Sequence, residues 1–188
     1  MNRLNWLTAV FFILAIALYG AIEWHQSNKT EEPTVVQDLT PDYIAEQLNS
    51  DSYDESGNLA YVIDAARMEH YASLDITHFE FPEYTLYPQG EKQPWKITAN
   101  EGTLYASNRV RLQNRVKLEA TDTDSILQEI HGKYLELDLN TNILSSEQTI
   151  VIQGKGFTMY GSGIIVDLNT KQWTLTEHVQ SVYSKDNN

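Results

Sequence analysis

The chain has 188 residues, no cysteine and a formal net charge of −13 at pH 7. Such an acidic chain does not fit a nucleic-acid-binding protein, because contacts with phosphates need a basic face. Without disulfides the fold must be stabilised by packing. About 165 residues follow the N-terminal apolar segment, which is enough for one domain with its own core.

The N-terminal segment predicts one membrane-spanning helix over residues 6–22, preceded by a short N-terminus at residues 1–5. No charged residue interrupts the apolar run. At about 1.5 Å per residue, such a helix spans about 26 Å and matches the hydrocarbon core of a bilayer. Arg3 precedes the run and Glu23 follows it. The positive-inside rule therefore places residues 1–5 in the cytoplasm and the rest of the chain across the membrane.

A cleavable signal peptide is the alternative interpretation of this segment. Ala15-Ile16-Ala17 fits the small-residue pattern of a cleavage site. Cleavage there would leave residues 18–22, which are still apolar, at the mature N-terminus, and this favours the anchor. Both interpretations export the remainder of the chain.

The next stretch predicts a linker over residues 23–42, because it is polar and contains Pro33 and Pro41. A β domain is expected over residues 43–184, followed by a flexible tail at residues 185–188. The start of this domain is ambiguous, since residues 44–48 fit either a helical turn or a first strand.

From Leu59 onward, apolar and polar residues alternate, which is typical of antiparallel strands with one buried face. The clearest case is the stretch 109–119, where one face carries Val110, Leu112, Val116 and Leu118 and the other carries Arg109, Arg111, Arg115 and Lys117. Polar clusters that favour turns lie at residues 54–57, 107–108, 122–124, 140–142 and 169–170. The pattern predicts an all-β domain.

Four segments of this domain share an internal repeat, in which an apolar alternation ends at a small residue. They are Tyr61-x-Ile63-x-Ala65, Trp95-x-Ile97-x-Ala99, Gln128-x-Ile130-x-Gly132 and Phe157-x-Met159-x-Gly161. The last two continue identically, as Asp138-Leu139-Asn140-Thr141 and Asp167-Leu168-Asn169-Thr170. We expect the chain to bend at each small residue, where there is no side-chain crowding. Coincidence among short strands is the alternative.

The sequence contains no recognisable catalytic site. Its five histidines form no H-x-x-x-H or H-E-x-x-H pattern, and no cysteine assists a metal site. His78-Phe79-Glu80 offers only two potential ligands on one strand face. We therefore predict no catalytic residue, no metal and no cofactor. A pair of carboxylates facing across a cleft, as in a glycosidase, remains open at this stage.

Aromatic residues are frequent, with 11 Tyr, 5 Phe and 4 Trp. Such side chains either fill the core of a β-sandwich or line an apolar groove between two sheets that do not close. Residue types alone leave both alternatives open.

In its anchor, linker and β repeat, the chain resembles the LptC family, the inner-membrane-anchored proteins of lipopolysaccharide export. The resemblance rests on stretches in the same order and spacing: Gly57 to Ala65, Phe79 to Pro82, Trp95 to Asn100, and Gly154 to Phe157 running on to Val179 and Tyr183. It implies an open, twisted antiparallel β-jelly-roll of repeated strand pairs, similar to OstA/LptA proteins, preceded by one transmembrane α-helix.

The resemblance also implies a non-enzymatic function, in which acyl chains of lipopolysaccharide enter an apolar groove. Strand parity places twelve side chains on the inner faces: Tyr61, Ile63, Phe79, Phe81, Trp95, Ile97, Val116, Leu118, Ile150, Ile152, Phe157 and Met159. The alternatives are a membrane-anchored adaptor that only docks partner proteins and an envelope hydrolase acting on glycan or lipid.

The implied partners are lipopolysaccharide, an inner-membrane ABC transporter with the subunits LptB, LptF and LptG, and the periplasmic bridge protein LptA. The protein would lie in the bacterial inner membrane with its β domain in the periplasm. We expect the bridge protein to dock on the C-terminal strand through Gly154, Trp173, Leu175, Val179 and Tyr183, and the transporter on the opposite edge near residues 44–65.

Overall fold

A computed structural model describes residues 40–88 and 93–183, together with Tyr19. The two long ranges form twelve antiparallel β-strands and contain no helix. The strands are β1 Tyr43–Tyr53, β2 Leu59–Tyr71, β3 Ile76–Glu80, β4 Glu83–Leu86, β5 Trp95–Thr98, β6 Glu101–Tyr105, β7 Arg109–Ala120, β8 Leu127–Asp138, β9 Ile143–Ser146, β10 Ile150–Gly154, β11 Phe157–Asp167 and β12 Gln172–Tyr183.

The prediction of an all-β, antiparallel domain is confirmed for these ranges, and residues 44–48 belong to β1 rather than to a helical turn. In the part of the chain that the structure describes, no helix is long and apolar enough to cross a membrane. The predicted span at residues 6–22 lies outside that part, except for Tyr19, as do the tail and most of the linker.

The strands follow one another as an antiparallel meander that is folded along its length into two half-sheets. Long strands cross the fold line: β2 pairs with β4 through residues 61–64 and with β3 through residues 67–71. In the same way, β7 pairs with β6 before its bend and with β5 after it. The first half-sheet thus contains β4, β5 and β10, and the second contains β3, β6 and β9. Their inner faces form the core.

The small residues of the sequence repeat lie on the fold line, where the chain was expected to bend. Gly132 is paired with Val116 on one side and Ile150 on the other, and Ile150 is paired in turn with Gly161. A Cβ atom on Gly132 would lie 3.1 Å from Ile150 Cγ2. Small and large residues therefore alternate across neighbouring strands, because two large side chains side by side would not fit at the fold.

The identical Asp-Leu-Asn-Thr segments form identical turns. Asp138 Oδ1 accepts hydrogen bonds from the backbone N–H groups two and three residues later, at 2.9 and 3.1 Å. Asp167 Oδ1 does the same at 2.9 and 3.3 Å. Each turn ends in a residue with positive φ, Asn142 at 57° and Lys171 at 59°. The repeat is therefore structural and not a coincidence of composition.

One inner row crosses the whole first half-sheet. Neighbouring strands place Ser50, Ile63, Tyr84, Ile97, Leu118, Ile130, Ile152, Met159 and Ser181 side by side in register. Side chains in the middle of this row are completely buried. The row begins and ends with serine, at the two edges of the sheet.

Candidate functional site

The meander leaves an edge strand at each end. Among the described residues, β1 pairs only with β2, and β12 pairs only with β11. Both edges carry exposed apolar side chains, Tyr43, Ile44 and Tyr53 on β1 and Val182 and Tyr183 on β12. An unpaired edge with exposed apolar residues can accept a strand from another chain.

A pocket lies between the half-sheets at the β1 end. It has a volume of about 250 Å³ and is lined by residues from both half-sheets. The apolar and aromatic lining consists of Leu48, Tyr61, Ile63, Met68, Phe79, Tyr84, Leu104 and Leu139. Ser50, Asp51 and Ser52 of β1 and Thr77 of β3 add polar groups. This is an apolar space with a few polar groups, the usual composition of a ligand pocket.

Three aromatic rings meet in this pocket and connect the half-sheets. Phe79 of β3 packs edge-on against Tyr84 of β4, with ring centroids 6.4 Å apart and an interplanar angle of 82°. The ring centroid of Tyr61 in β2 lies 6.2 Å from that of Tyr84. Such pairs add to the stability gained from burial alone.

Tyr84 is only 1% exposed, and its hydroxyl has no hydrogen-bond partner among the described residues. Burial raises the pKa of the Tyr84 hydroxyl far above its ordinary value, and the electrostatic effect of the nearby Tyr61 hydroxyl adds a smaller contribution in the same direction. The group therefore stays protonated and remains a hydrogen-bond donor at neutral pH.

The middle of the interior is filled by the chain's own side chains. Six predicted groove residues are at most 2% exposed and belong to the core: Trp95, Ile97, Val116, Leu118, Ile150 and Ile152. Phe157 and Met159 are partly buried and pack against this core. Of the predicted set, only Tyr61, Ile63 and Phe79 line the pocket. These side chains face inward as expected, whereas their role in lipid binding stays a prediction.

The inward placement predicted for Phe81 is wrong. Its side chain is 63% exposed, and its φ of 50° lies in the left-handed region. Phe81 sits on the fold line between β3 and β4, where its N–H donates to the carbonyl of Asn100. The extra residue at this bend shifts the parity of the strand, so that inward positions are odd in β3 and even in β4.

Sequence reasoning missed five apolar pocket residues, which are Leu48, Met68, Tyr84, Leu104 and Leu139. A signal for Tyr84 existed, because Tyr84, Leu86 and the buried Pro82 share one parity after the bend. Once Pro82 is taken as the start of a new strand register, the same alternation rule assigns Tyr84 to the inner face.

The predicted docking residues differ in what they present to a partner. Trp173 and Leu175 pack against the core, whereas Tyr183 is 77% exposed. The side chain of Val179 lies outside the described part of the structure. Gly154 ends β10, where a Cβ atom would lie 2.6 Å from the carbonyl oxygen of Ile126 and would overlap the ring of Phe157. A bulky residue at this position is excluded by close approach, not by φ, since the positive φ of this turn belongs to Gly156.

The outer face is polar, and the cations predicted there do not enter the core. Lys117 Nζ lies 2.9 Å from Glu119 Oε2 and 3.0 Å from Glu129 Oε1. These two hydrogen bonds raise the pKa of Lys117. The bond that Lys117 donates to Glu129 also lowers the pKa of Glu129. His131 Nε2 also lies 2.7 Å from Glu129 Oε2.

Arg111 packs against two outer aromatic rings, with Cζ 5.1 Å from the ring centroid of Tyr105 and 5.9 Å from that of Tyr134. Arg109 and Arg115 are exposed. Within the described residues, no group of three or more His, Cys, Asp or Glu side chains could hold a metal ion.

These features define a class of protein, a folded β meander with an apolar core and a pocket beside one edge strand. A sequence profile described as lipopolysaccharide-assembly, LptC-related, matches residues 9–184. The chain belongs to the LptC family. This membership agrees with the prediction that it is not an enzyme.

Individual relatives cover nearly the whole chain. It is 26% identical to the lipopolysaccharide export system protein LptC of Haemophilus influenzae over an alignment of 198 positions, gaps included, which covers 96% of this chain and 94% of that protein. It is 25% identical to the protein of the same name from Escherichia coli over 179 aligned residues, which cover 95% and 94%.

Proposed function

We propose that the chain is a lipopolysaccharide carrier of the bacterial inner membrane. It receives lipopolysaccharide from an ABC transporter with the subunits LptB, LptF and LptG and passes it to the bridge protein LptA for outer-membrane assembly. The observation that carries this proposal is membership of the LptC family over residues 9–184. The relatives that match nearly the whole chain are named as proteins of the lipopolysaccharide export system.

The interior suits the acyl chains of a lipid rather than its charged head group. Burial contributes about 0.8 kcal/mol for each CH₂ group, so several chains can provide strong binding. The phosphates of the lipid are anionic, and the protein has a net charge of −13. The head group therefore stays in water at the mouth, while the chains lie between the half-sheets.

The two edge strands give the carrier a direction. The transporter docks near β1, beside the pocket, and the bridge protein adds a strand to β12. The exposed Tyr43 and Tyr53 on β1 and Tyr183 on β12 support docking at these edges. Because Trp173 and Leu175 pack inward, the bridge protein contacts the backbone edge of β12 more than these side chains.

One observation favours the alternative of an adaptor that docks partners and carries no lipid. The middle of the interior, around Ile97, Leu118 and Ile152, is completely filled by the chain's own side chains. A carrier must separate its half-sheets to admit a lipid at this depth, whereas an adaptor has no need to do so.

Photocrosslinking in living cells distinguishes these functions. A photoreactive residue at Ile97 or Leu118 faces the interior, and one at the adjacent Lys96 or Lys117 faces out and serves as a matched control. A carrier gives an ATP-dependent lipopolysaccharide adduct from the inner positions only. A second inner position, Phe79, lies in the pocket and reports entry of the lipid separately from passage.

Equal labelling from inner and outer positions would contradict the carrier function. Adducts with partner proteins from both edges, without any lipid adduct from Phe79, Ile97 or Leu118, would support the adaptor instead.

A further inference from the structure

The half-sheets join along the fold line and end, on the opposite side, in two rows of turns. Because the long strands cross the fold line, the turns after β7 and β10 lie at the free end of the first half-sheet. The turns after β8 and β11 lie at the free end of the second. The space between these two rows of turns is the mouth of the interior. Contacts from one row to the other therefore decide how far the mouth is open.

An ion pair crosses this mouth. Lys171, in the turn between β11 and β12, places Nζ 3.3 Å from Oδ2 of Asp122, in the turn between β7 and β8. The two residues are 49 positions apart in sequence and belong to opposite half-sheets. The backbone N–H of Asp124 donates to the other carboxylate oxygen of Asp122 at 2.9 Å. This bond and the one from Lys171 lower the pKa of the Asp122 carboxyl, so that the pair is charged at neutral pH.

The two ends of the mouth differ in how tightly they are closed. Next to the turns that carry the ion pair, Leu127 and Leu168 are 3% and 0% exposed and belong to the core. At the β1 end, Leu48 and Tyr61 are only partly buried and line the pocket of about 250 Å³. The interior is thus closed toward β12 and leaves free volume toward β1.

We propose that the Asp122–Lys171 ion pair is a latch, which holds the mouth closed at the β12 end and must break before a bound molecule leaves the interior there. Both side chains are 32% exposed. An ion pair that water reaches is weak, so it can break and reform without unfolding of the sheet. Lys171 directly precedes β12, the strand on which the bridge protein is expected to dock. The identity of the departing molecule rests on the proposed carrier function, whereas the latch is a property of the fold.

The first experiment measures the mouth itself, in the full chain and without lipid. Thr123 and Thr170 are exposed positions in the two turns, and the chain has no cysteine. Two spin labels on Thr123→Cys/Thr170→Cys therefore report the distance across the mouth by pulsed electron paramagnetic resonance. Adding Lys171→Met should increase the population with the longer distance about two- to fivefold, since an exposed ion pair biases an equilibrium by about that factor.

Lys155→Met is the matched control for Lys171→Met. Lys155 pairs with Asp124 at 3.2 Å, but both residues lie in turns of the first half-sheet. The control should leave the distance distribution unchanged. Identical distributions with and without Lys171→Met would overturn the latch, and so would an equal change in the control.

The second experiment fixes the latch closed. Asp122→Cys/Lys171→Cys is joined by a short bis-methanethiosulfonate linker, which a reducing agent removes. Transfer of lipopolysaccharide from the loaded full chain to the purified bridge protein should be lost on linking and return after reduction. Capture of the bridge protein in a pull-down should not change, because passage and not docking is blocked. Asp124→Cys/Lys155→Cys carries the same linker within the first half-sheet and should transfer normally.

The outcomes separate the latch from the carrier function. Undiminished transfer from the linked Asp122→Cys/Lys171→Cys variant would overturn the latch and leave the carrier function standing. Loss of transfer in both linked variants, or loss of capture, would also overturn it, since the effect would not depend on joining the half-sheets at the mouth. If the unlinked variants and the wild type transfer no lipopolysaccharide, the carrier function fails, and the distance measurement decides the latch by itself.

Discussion

At the scale of single residues, the two faces of β10 differ in what a substitution costs. Ile152 faces the core and is completely buried, whereas the adjacent Gln153 is exposed. We expect Ile152→Ala to lower the free energy of unfolding by about 2–5 kcal/mol, through lost burial and the cavity left behind. Gln153→Ala should stay within about 0.5 kcal/mol of the wild type.

Urea unfolding followed by tryptophan fluorescence, to which the buried Trp95 contributes, measures both variants of β10. Similar losses for Ile152→Ala and Gln153→Ala would contradict the assignment of the inner face.

The outer face of the first half-sheet predicts a pH-dependent contribution from Glu129. Its carboxylate accepts a hydrogen bond from Lys117, which lowers its pKa below the ordinary value of about 4.3. A carboxylate with a lower pKa in the folded state stabilises the protein above its unfolded pKa, and this stabilisation is lost as the pH falls through the folded pKa. Glu129→Gln should therefore lower the melting temperature at pH 7, and the difference from the wild type should shrink as the pH falls below the ordinary pKa of about 4.3.

Thermal unfolding of Glu129→Gln and the wild type between pH 7 and pH 3 checks this expectation. The effect at pH 7 should be less than about 1 kcal/mol, because the pair lies near the surface. Glu55→Gln, in the exposed turn after β1, is the control and should change little at any pH. A difference for Glu129→Gln that persists unchanged at pH 3 would mean that the lost packing, not the charge, causes it.

At the scale of strands, the sequence predicts much of the inner face, because alternation persists within each half-sheet, although its parity changes at the fold line in β2, β8 and β11. Val110, Leu112, Val116 and Leu118 keep one parity through β7 and are all buried. They do so although β7 contains a bulge between Gln113 and Val116, where two adjacent residues have positive φ.

Parity also changes at Phe81, which lies on the fold line between β3 and β4. Position 81 continues the alternation of β3 in sequence, and only the three-dimensional bend decides that its side chain points out. The pocket likewise depends on contacts between the half-sheets, such as the one between Phe79 and Tyr84, and strand patterns within one half-sheet carry no information about them.

The edge formed by β12 gives a prediction about docking of the bridge protein. Gly154, Phe157 and Tyr183 are consecutive partners in one cross-strand row. A side chain at position 154 would displace the Phe157 ring, and through it the end of β12. Gly154→Arg should therefore abolish capture of the bridge protein in a pull-down while the transporter still associates.

Gln153→Arg is the matched control for Gly154→Arg, because it adds the same charge at an exposed neighbouring position. It should leave both interactions intact. Truncation at residue 172 should have the same outcome as Gly154→Arg, but it also removes Trp173 and Leu175 from the core. If Gly154→Arg keeps the bridge protein and loses the transporter, the proposed direction of transfer is reversed.

At the scale of the whole molecule, two properties of the proposed carrier would act in opposite directions on a bound lipid. The apolar interior attracts acyl chains, whereas the net charge of −13 repels an anionic head group. Between about 10 mM and about 0.15 M salt, the Debye length falls from about 30 Å to about 8 Å, so that repulsion between exposed charges weakens. Burial of acyl chains is not screened in this way.

We therefore expect the affinity for lipopolysaccharide to rise severalfold when NaCl is increased from about 10 mM to about 0.15 M in the absence of divalent cations. Titration of the full chain at both salt concentrations measures the change. A non-ionic alkyl glycoside of similar chain length is the control, and its affinity should stay nearly constant because it has no charge to repel. If salt instead weakens the binding of lipopolysaccharide, cationic side chains must bind its phosphates. The head group would then lie on the protein rather than in water at the mouth of the interior.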